Sequence, residues 1–162
     1  MKHLSALHIL AMGAAALVAA SDAMALSATA TASVVTPLTL AQTTALNFGT
    51  LAVSGTAGTV TAYGATTGGV TELGGATPAL FTATGSPNTN FTIDIDPTST
   101  LTSGANSMTA TLSLNASSIV TTGQTATNAS GQQTFNVVGS LAVAANQPTG
   151  TYNGTYNVTA HY

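Results

Sequence analysis

From Gly150 onward every second position is glycine or apolar: Gly150, Tyr152, Gly154, Tyr156, Val158, Ala160 and Tyr162. The positions between them are Thr151, Asn153, Thr155, Asn157, Thr159 and His161. A period of two puts these sets on opposite faces of a β-strand, whereas a helix would scatter both around its axis. No segment of the chain sustains an apolar period of 3.6, and short alternating runs rich in Thr, Val, Phe and Tyr recur instead. They predict strands at Leu26–Val35, Leu46–Val53, Thr59–Tyr63, Leu80–Thr84, Asn90–Ile95, Met108–Leu114, Thr134–Val143 and Thr151–His161. Turn-forming residues fall between them, among them Gly68-Gly69, Gly74-Gly75, Gly85-Ser86-Pro87-Asn88, Asp96-Pro97 and Asn146-Gln147-Pro148. The reading is an all-β antiparallel sandwich. Phe48, Phe81, Phe91, Ile93, Ile95, Phe135, Val137 and Leu141 are its expected core. The stretches Ala65–Ala79 and Ser117–Gly131, poor in large apolar groups, are expected to be surface loops.

Composition narrows the function. The 162 residues include 1 Lys or Arg, 4 Asp or Glu and no Cys, and the charged fraction is 3%, against about 25% in an ordinary soluble domain. Thr and Ala alone supply 32 and 30 residues, and side chains this small and uncharged offer little catalytic equipment. Thiol chemistry, disulfide staples, Cys-based metal sites and phosphate-driven nucleic-acid binding are all excluded. With no Cys, stability has to come from packing and backbone pairing alone.

The first 25 residues have the pattern of a secretory signal. Lys2 provides the positive end, Leu4–Ala20 is apolar and small, and Ala23-Met24-Ala25 is a small-x-small cleavage site. Export is therefore expected, with passage through the periplasm to the cell surface or beyond. No later segment is long and apolar enough to stay in a bilayer as a helix. The rest of the chain divides into a ribbon at 26–35 and a sandwich domain at 36–162. In the ribbon, Leu26, Ala28, Ala30, Ala32 and Val34 alternate with Ser27, Thr29, Thr31 and Ser33. Each Ala contributes about 0.8 kcal/mol on burial and the Leu and Val about 1.5–3 kcal/mol each. Backbone bonds to a sheet edge, at about 0.5–1.5 kcal/mol net apiece, would add a comparable amount.

Several pieces resemble a known family: Leu46-Asn47-Phe48-Gly49, Gly85-Ser86-Pro87-Asn88, Val138-Gly139-Ser140-Leu141, and Gln147-Pro148-Thr149-Gly150-Thr151-Tyr152-Asn153-Gly154-Thr155-Tyr156 with the terminal Tyr162. They resemble the bacterial DUF4402 family, which is similar in turn to spore coat protein U and archaic chaperone-usher pilin subunits. The resemblance implies an incomplete immunoglobulin-like sandwich. Leu26, Ala28, Ala30, Ala32 and Val34 would then be a donor strand, and Gly150–Tyr162 the strand beside which it pairs. The implied partners are other copies of the same chain, a periplasmic chaperone and an outer-membrane usher. The Gly150-to-Tyr162 spacing matches that of pilins, although many pilins place the Tyr next to last and carry larger residues in the donor strand.

These features lead to a secreted structural subunit of a surface fibre or coat, without enzymatic activity or cofactor. The alternatives are a first strand closed into its own monomer, or a monomeric adhesive module binding glycans through Gly- and Thr-rich loops near Tyr63. Asp94 and Asp96 lie two apart and share a strand face opposite Ile93 and Ile95. They are a weak candidate for acid–base work or a Ca²⁺ site, and a solvated strand face is the simpler reading. His161, alone on the polar face of the last strand, does not make a metal site.

Overall fold

The computed structural model describes residues 25–114 and 122–162; residues 1–24 of the expected signal peptide, and residues 115–121, which take in the start of the expected Ser117–Gly131 loop, lie outside them. Twelve strands are present among the described residues, and no helix. They are β1 (Thr39–Thr44), β2 (Asn47–Phe48), β3 (Leu51–Thr61), β4 (Thr66–Glu72), β5 (Ala76–Thr77), β6 (Ala79–Thr84), β7 (Asn90–Ile95), β8 (Thr98–Ser103), β9 (Asn106–Leu114), β10 (Thr122–Ala126), β11 (Gln132–Val143) and β12 (Val158–His161). Every pairing between them is antiparallel.

The long β11 organises the larger sheet. Val137 pairs with both Leu114 of β9 and Ala79 of β6, and Ser140 to Ala142 pair with both β9 and β3. A residue's two partners must lie on its opposite edges. So β9 occupies one edge of β11, while β6 and then β3 take successive lengths of the other. β1 extends the sheet beyond β6, β4 beyond β3 and β8 beyond β9. The second sheet is β10-β7-β12, and β2 with β5 forms a short separate ribbon.

Alternation explains why the layers pack. Phe91, Ile93 and Ile95 of β7 are buried, and the residues between them are not. They join Phe81, Leu112, Phe135, Val137 and Leu141 of the larger sheet and Phe48 of the β2–β5 ribbon in one apolar core. Across β6 and β11 the paired rings of Phe81 and Phe135 stack with centroids 5.5 Å apart, an aromatic cross-strand pair of the kind that stabilises register. The predicted core is found entire, in an antiparallel β-sandwich.

The differences from expectation have physical reasons. Ala65–Ala79, read as a loop, contains β4 and β5: Thr and Gly give no apolar signal, and β3 supplies the partner edge. β10 falls inside the second expected loop in the same way. β8 carries only Leu101 as a large apolar residue, yet it forms a hairpin with β9 around Gly104 at φ 59°, the left-handed conformation that the first position of such a turn favours in glycine. Leu26–Val35, expected as a strand, has no strand structure; its side chains are exposed, Leu26 at 92% and Val34 at 96%. An Ala/Thr ribbon has too little apolar surface to hold itself extended.

Leu141 is 2% exposed, at the point where β9 and β3 flank β11. Leu141→Ala should lower stability by about 2–5 kcal/mol, read as a fall in the urea midpoint with an unchanged slope.

Candidate functional site

The C-terminal segment departs from a simple strand in an informative way. Its face alternation is real: Tyr152, Tyr156, Val158 and Ala160 are half-buried against the core, while Thr151, Asn153, Thr155, Asn157, Thr159 and His161 are exposed. Only Val158–His161 pairs as a strand, against β7. Upstream, the segment is held to β8 at separate points. Asn153 exchanges both backbone bonds with Thr102, at 2.8 and 3.0 Å, and the Ser99 hydroxyl donates to the Thr155 carbonyl at 2.9 Å. The Asn157 backbone N–H and side-chain amide both donate to Asp96 Oδ2, at 2.8 and 2.9 Å. Gly154 allows this close approach, because a Cβ there would stand 2.5 Å from the Thr100 carbonyl oxygen.

Among the described residues, no hydrogen bond reaches Thr149, Gly150, Thr151, Gly154 or Tyr156. Of these only Tyr156 is half-buried and the others are exposed; a stretch of chain whose N–H and C=O groups lack protein partners is what an unpaired sheet edge presents. Facing it across a groove of about 920 Å³ is Ala45–Val53. That wall is paired on its far side, Asn47 and Phe48 with β5 and Leu51 to Val53 with β4. Its near side is unpaired by β11, whose contact with β3 covers only Gly58 to Thr61. Leu46, Leu51, Val53, Leu101, Tyr152 and Tyr156 bring partly buried apolar surface to the groove, over a buried layer of Met108, Ala110, Leu141 and Val143. Strands sit about 4.8 Å apart in layers about 10 Å apart and rise about 3.3 Å per residue, so the groove has room for roughly six residues of strand.

Two tyrosines mark the groove's chemistry. The Tyr152 hydroxyl accepts from Gln147 Nε2 at 2.9 Å and donates to the Pro148 carbonyl at 2.8 Å, bracing the turn that leads into the open segment. The Tyr156 hydroxyl is buried without a hydrogen-bond partner among the described residues, and this burial pushes its pKa above the ordinary 10.0. An unsatisfied buried hydroxyl carries a desolvation cost.

The remaining predicted residues lie along the last strand. Asp94 and His161 approach to 3.6 Å across β7 and β12. Asp96 is engaged with Asn157, so the two carboxylates serve different contacts. Among the described residues, no three His, Cys, Asp or Glu side chains lie where they could hold a metal ion, and no helix is long and apolar enough to cross a membrane. Tyr162 ends in a junction that sequence reasoning missed. Its hydroxyl donates to the Thr36 carbonyl and accepts from the Ser86 N–H, both at 2.8 Å, while the Thr36 N–H donates to Ser86 Oγ at 2.6 Å. No local pattern announces bonds that join residues this far apart in the chain.

Fold and groove together define an all-β sandwich domain with a groove between Ala45–Val53 and the Gln147–Tyr156 segment. Residues 38–162, well over half of the chain, match the model of the family described as Domain of unknown function (DUF4402), and the chain belongs to that family. The match begins after the exposed ribbon. No curated protein and no solved structure matches the chain.

Tyr156→Phe should leave stability unchanged or raise it by up to about 2 kcal/mol, measured by urea denaturation at pH 7. A phenol whose pKa is raised on folding contributes no pH dependence below the unfolded value and weakens the fold as pH climbs through its folded value. Above pH 10 the wild type should therefore lose stability more steeply than Tyr156→Phe. For the carboxylates, added EDTA should leave the melting temperature unmoved; a fall would reveal a bound cation at Asp94 and Asp96.

Proposed function

We propose that this chain is a secreted structural subunit of a bacterial surface fibre or coat, joined to other copies of itself by β-strand addition. One observation carries the reading: along Gln147–Tyr156 only Gln147, Tyr152 and Tyr156 are half-buried, most backbone groups have no partner among the described residues, and the segment borders a groove of mixed polar and apolar lining. An open edge over a core needs a covering strand, because otherwise it recruits one at random. The chain carries a suitable ribbon. Leu26, Ala28, Ala30, Ala32 and Val34 form one apolar edge of an exposed segment, and small side chains suit a groove whose apolar layer lies close beneath.

Strand addition draws on main-chain hydrogen bonds for affinity and on alternate side chains for register. A chain almost without charge is suited to it, since no like-charge repulsion keeps copies apart. The resemblance to pilin and spore-coat subunits supports the same reading. It also gives the groove a temporary cover during export, in the form of a periplasmic chaperone, and an outer-membrane usher as the place of exchange.

The exported full-length chain should form oligomers or filaments visible by electron microscopy and light scattering, and the chain lacking residues 26–35 should remain dispersed. Ala30→Asp, which would place a charge in the groove, should also reduce assembly strongly. Assembly of the shortened chain as efficient as that of the intact one would sink the proposal.

A further inference from the structure

The ribbon could in principle fill the groove of its own chain or that of a neighbour, and the junction at Tyr162 bears on the choice. Thr36 is held at both its backbone groups, its C=O by the Tyr162 hydroxyl and its N–H by Ser86 Oγ. The Tyr162 hydroxyl is itself fixed by the Ser86 N–H. Gly85 lets the ring come in, because a Cβ at that position would collide with the Tyr162 hydroxyl and crowd Leu38. Pro37 follows at once, which restricts both its own φ and the backbone of Thr36. The root of the ribbon is thereby clasped to the far end of the C-terminal segment.

The clasp limits reach. The groove begins at Tyr156, six positions before Tyr162, or about 20 Å along an extended chain at roughly 3.3 Å per residue. Residues 26–35 span about 33 Å at the same rise, so folding back on their own chain they could bring only roughly four residues into the groove. Ala30, Ala32 and Val34 would stay outside. Freeing Thr36, Pro37 and Leu38, which precede β1, would lengthen the reach to roughly seven residues. A neighbouring copy has no such limit, and the whole ribbon can enter its groove.

We infer that the Tyr162–Ser86–Thr36 clasp is a positioning device that keeps the ribbon from closing on its own groove and so directs it to a second copy of the chain. The inference rests on the strand-addition reading. Tyr162 and Ser86 act through the root of the ribbon and take no part in the pairing itself.

The test uses the absence of native cysteine. Ala30→Cys is introduced into the full chain, alone and together with Tyr162→Phe or Ser86→Ala, and the monomer fraction is treated with a thiol-reactive label. With the clasp intact the monomer's thiol should react at the rate of an exposed residue. With Tyr162→Phe the labelling of the monomer should slow by about tenfold or more, as local protection requires, and the share of assembled material should fall. Ser86→Ala, which removes only the acceptor for the Thr36 N–H, should move both readouts the same way by less; it provides the answer if Tyr162→Phe does not fold. Equal labelling and equal assembly in a folded clasp variant overturn the inference while leaving strand addition standing. Unimpaired assembly without residues 26–35 overturns the strand-addition reading, and the clasp inference with it.

Discussion

A backbone amide or carbonyl that leaves water must find a partner, and in this protein that requirement carries nearly the whole structure. With no disulfide, almost no charge and an alphabet dominated by Thr and Ala, the sandwich is held by antiparallel ladders over one continuous core. β11 is the clearest case. Its edges are taken by three different strands along its length, so it connects almost every part of the larger sheet. Where the ladders stop, as along Gln147–Tyr156, most positions are exposed and their backbone groups remain in reach of water.

The groove is therefore best understood as a consequence of connectivity. The chain reaches the end of β11, turns at Asn146 and runs back over the core, pinned to β8 by Asn153 and Thr155 and to Asp96 by Asn157. Ala45–Val53, committed to β4 and β5 on its other side, stays across from it. Gly154 and the two tyrosines give the segment its geometry: glycine permits the approach to β8, Tyr152 braces the turn, and Tyr156 buries a hydroxyl that has no partner among the described residues.

The carboxylates show how tertiary contacts give neighbours in sequence different partners. Asp94 and Asp96 share a strand face, as their spacing requires, but the C-terminal segment passes beside them and divides their roles. Asp96 ties down Asn157, while Asp94 lies near His161. The ladder between β12 and β7 lies between these two contacts. The Asp96 contact anchors the segment that borders the groove.

Period-two alternation and turn chemistry were enough to determine the all-β class, the central strands β7, β9 and β11 and the large residues of the core, because side-chain direction in a strand follows directly from position. The inward set of the C-terminal segment was legible for the same reason. The strands β4, β8 and β10 were not, since Thr, Ser and Gly become strand only when a partner edge is supplied from elsewhere in the chain. Tertiary structure alone decided which half of Gly150–Tyr162 is paired, where the groove lies, and that Tyr162 meets Thr36 and Ser86. Those outcomes depend on contacts between distant residues, and hydrogen-bond partners, unlike facing, leave no periodic trace in a sequence.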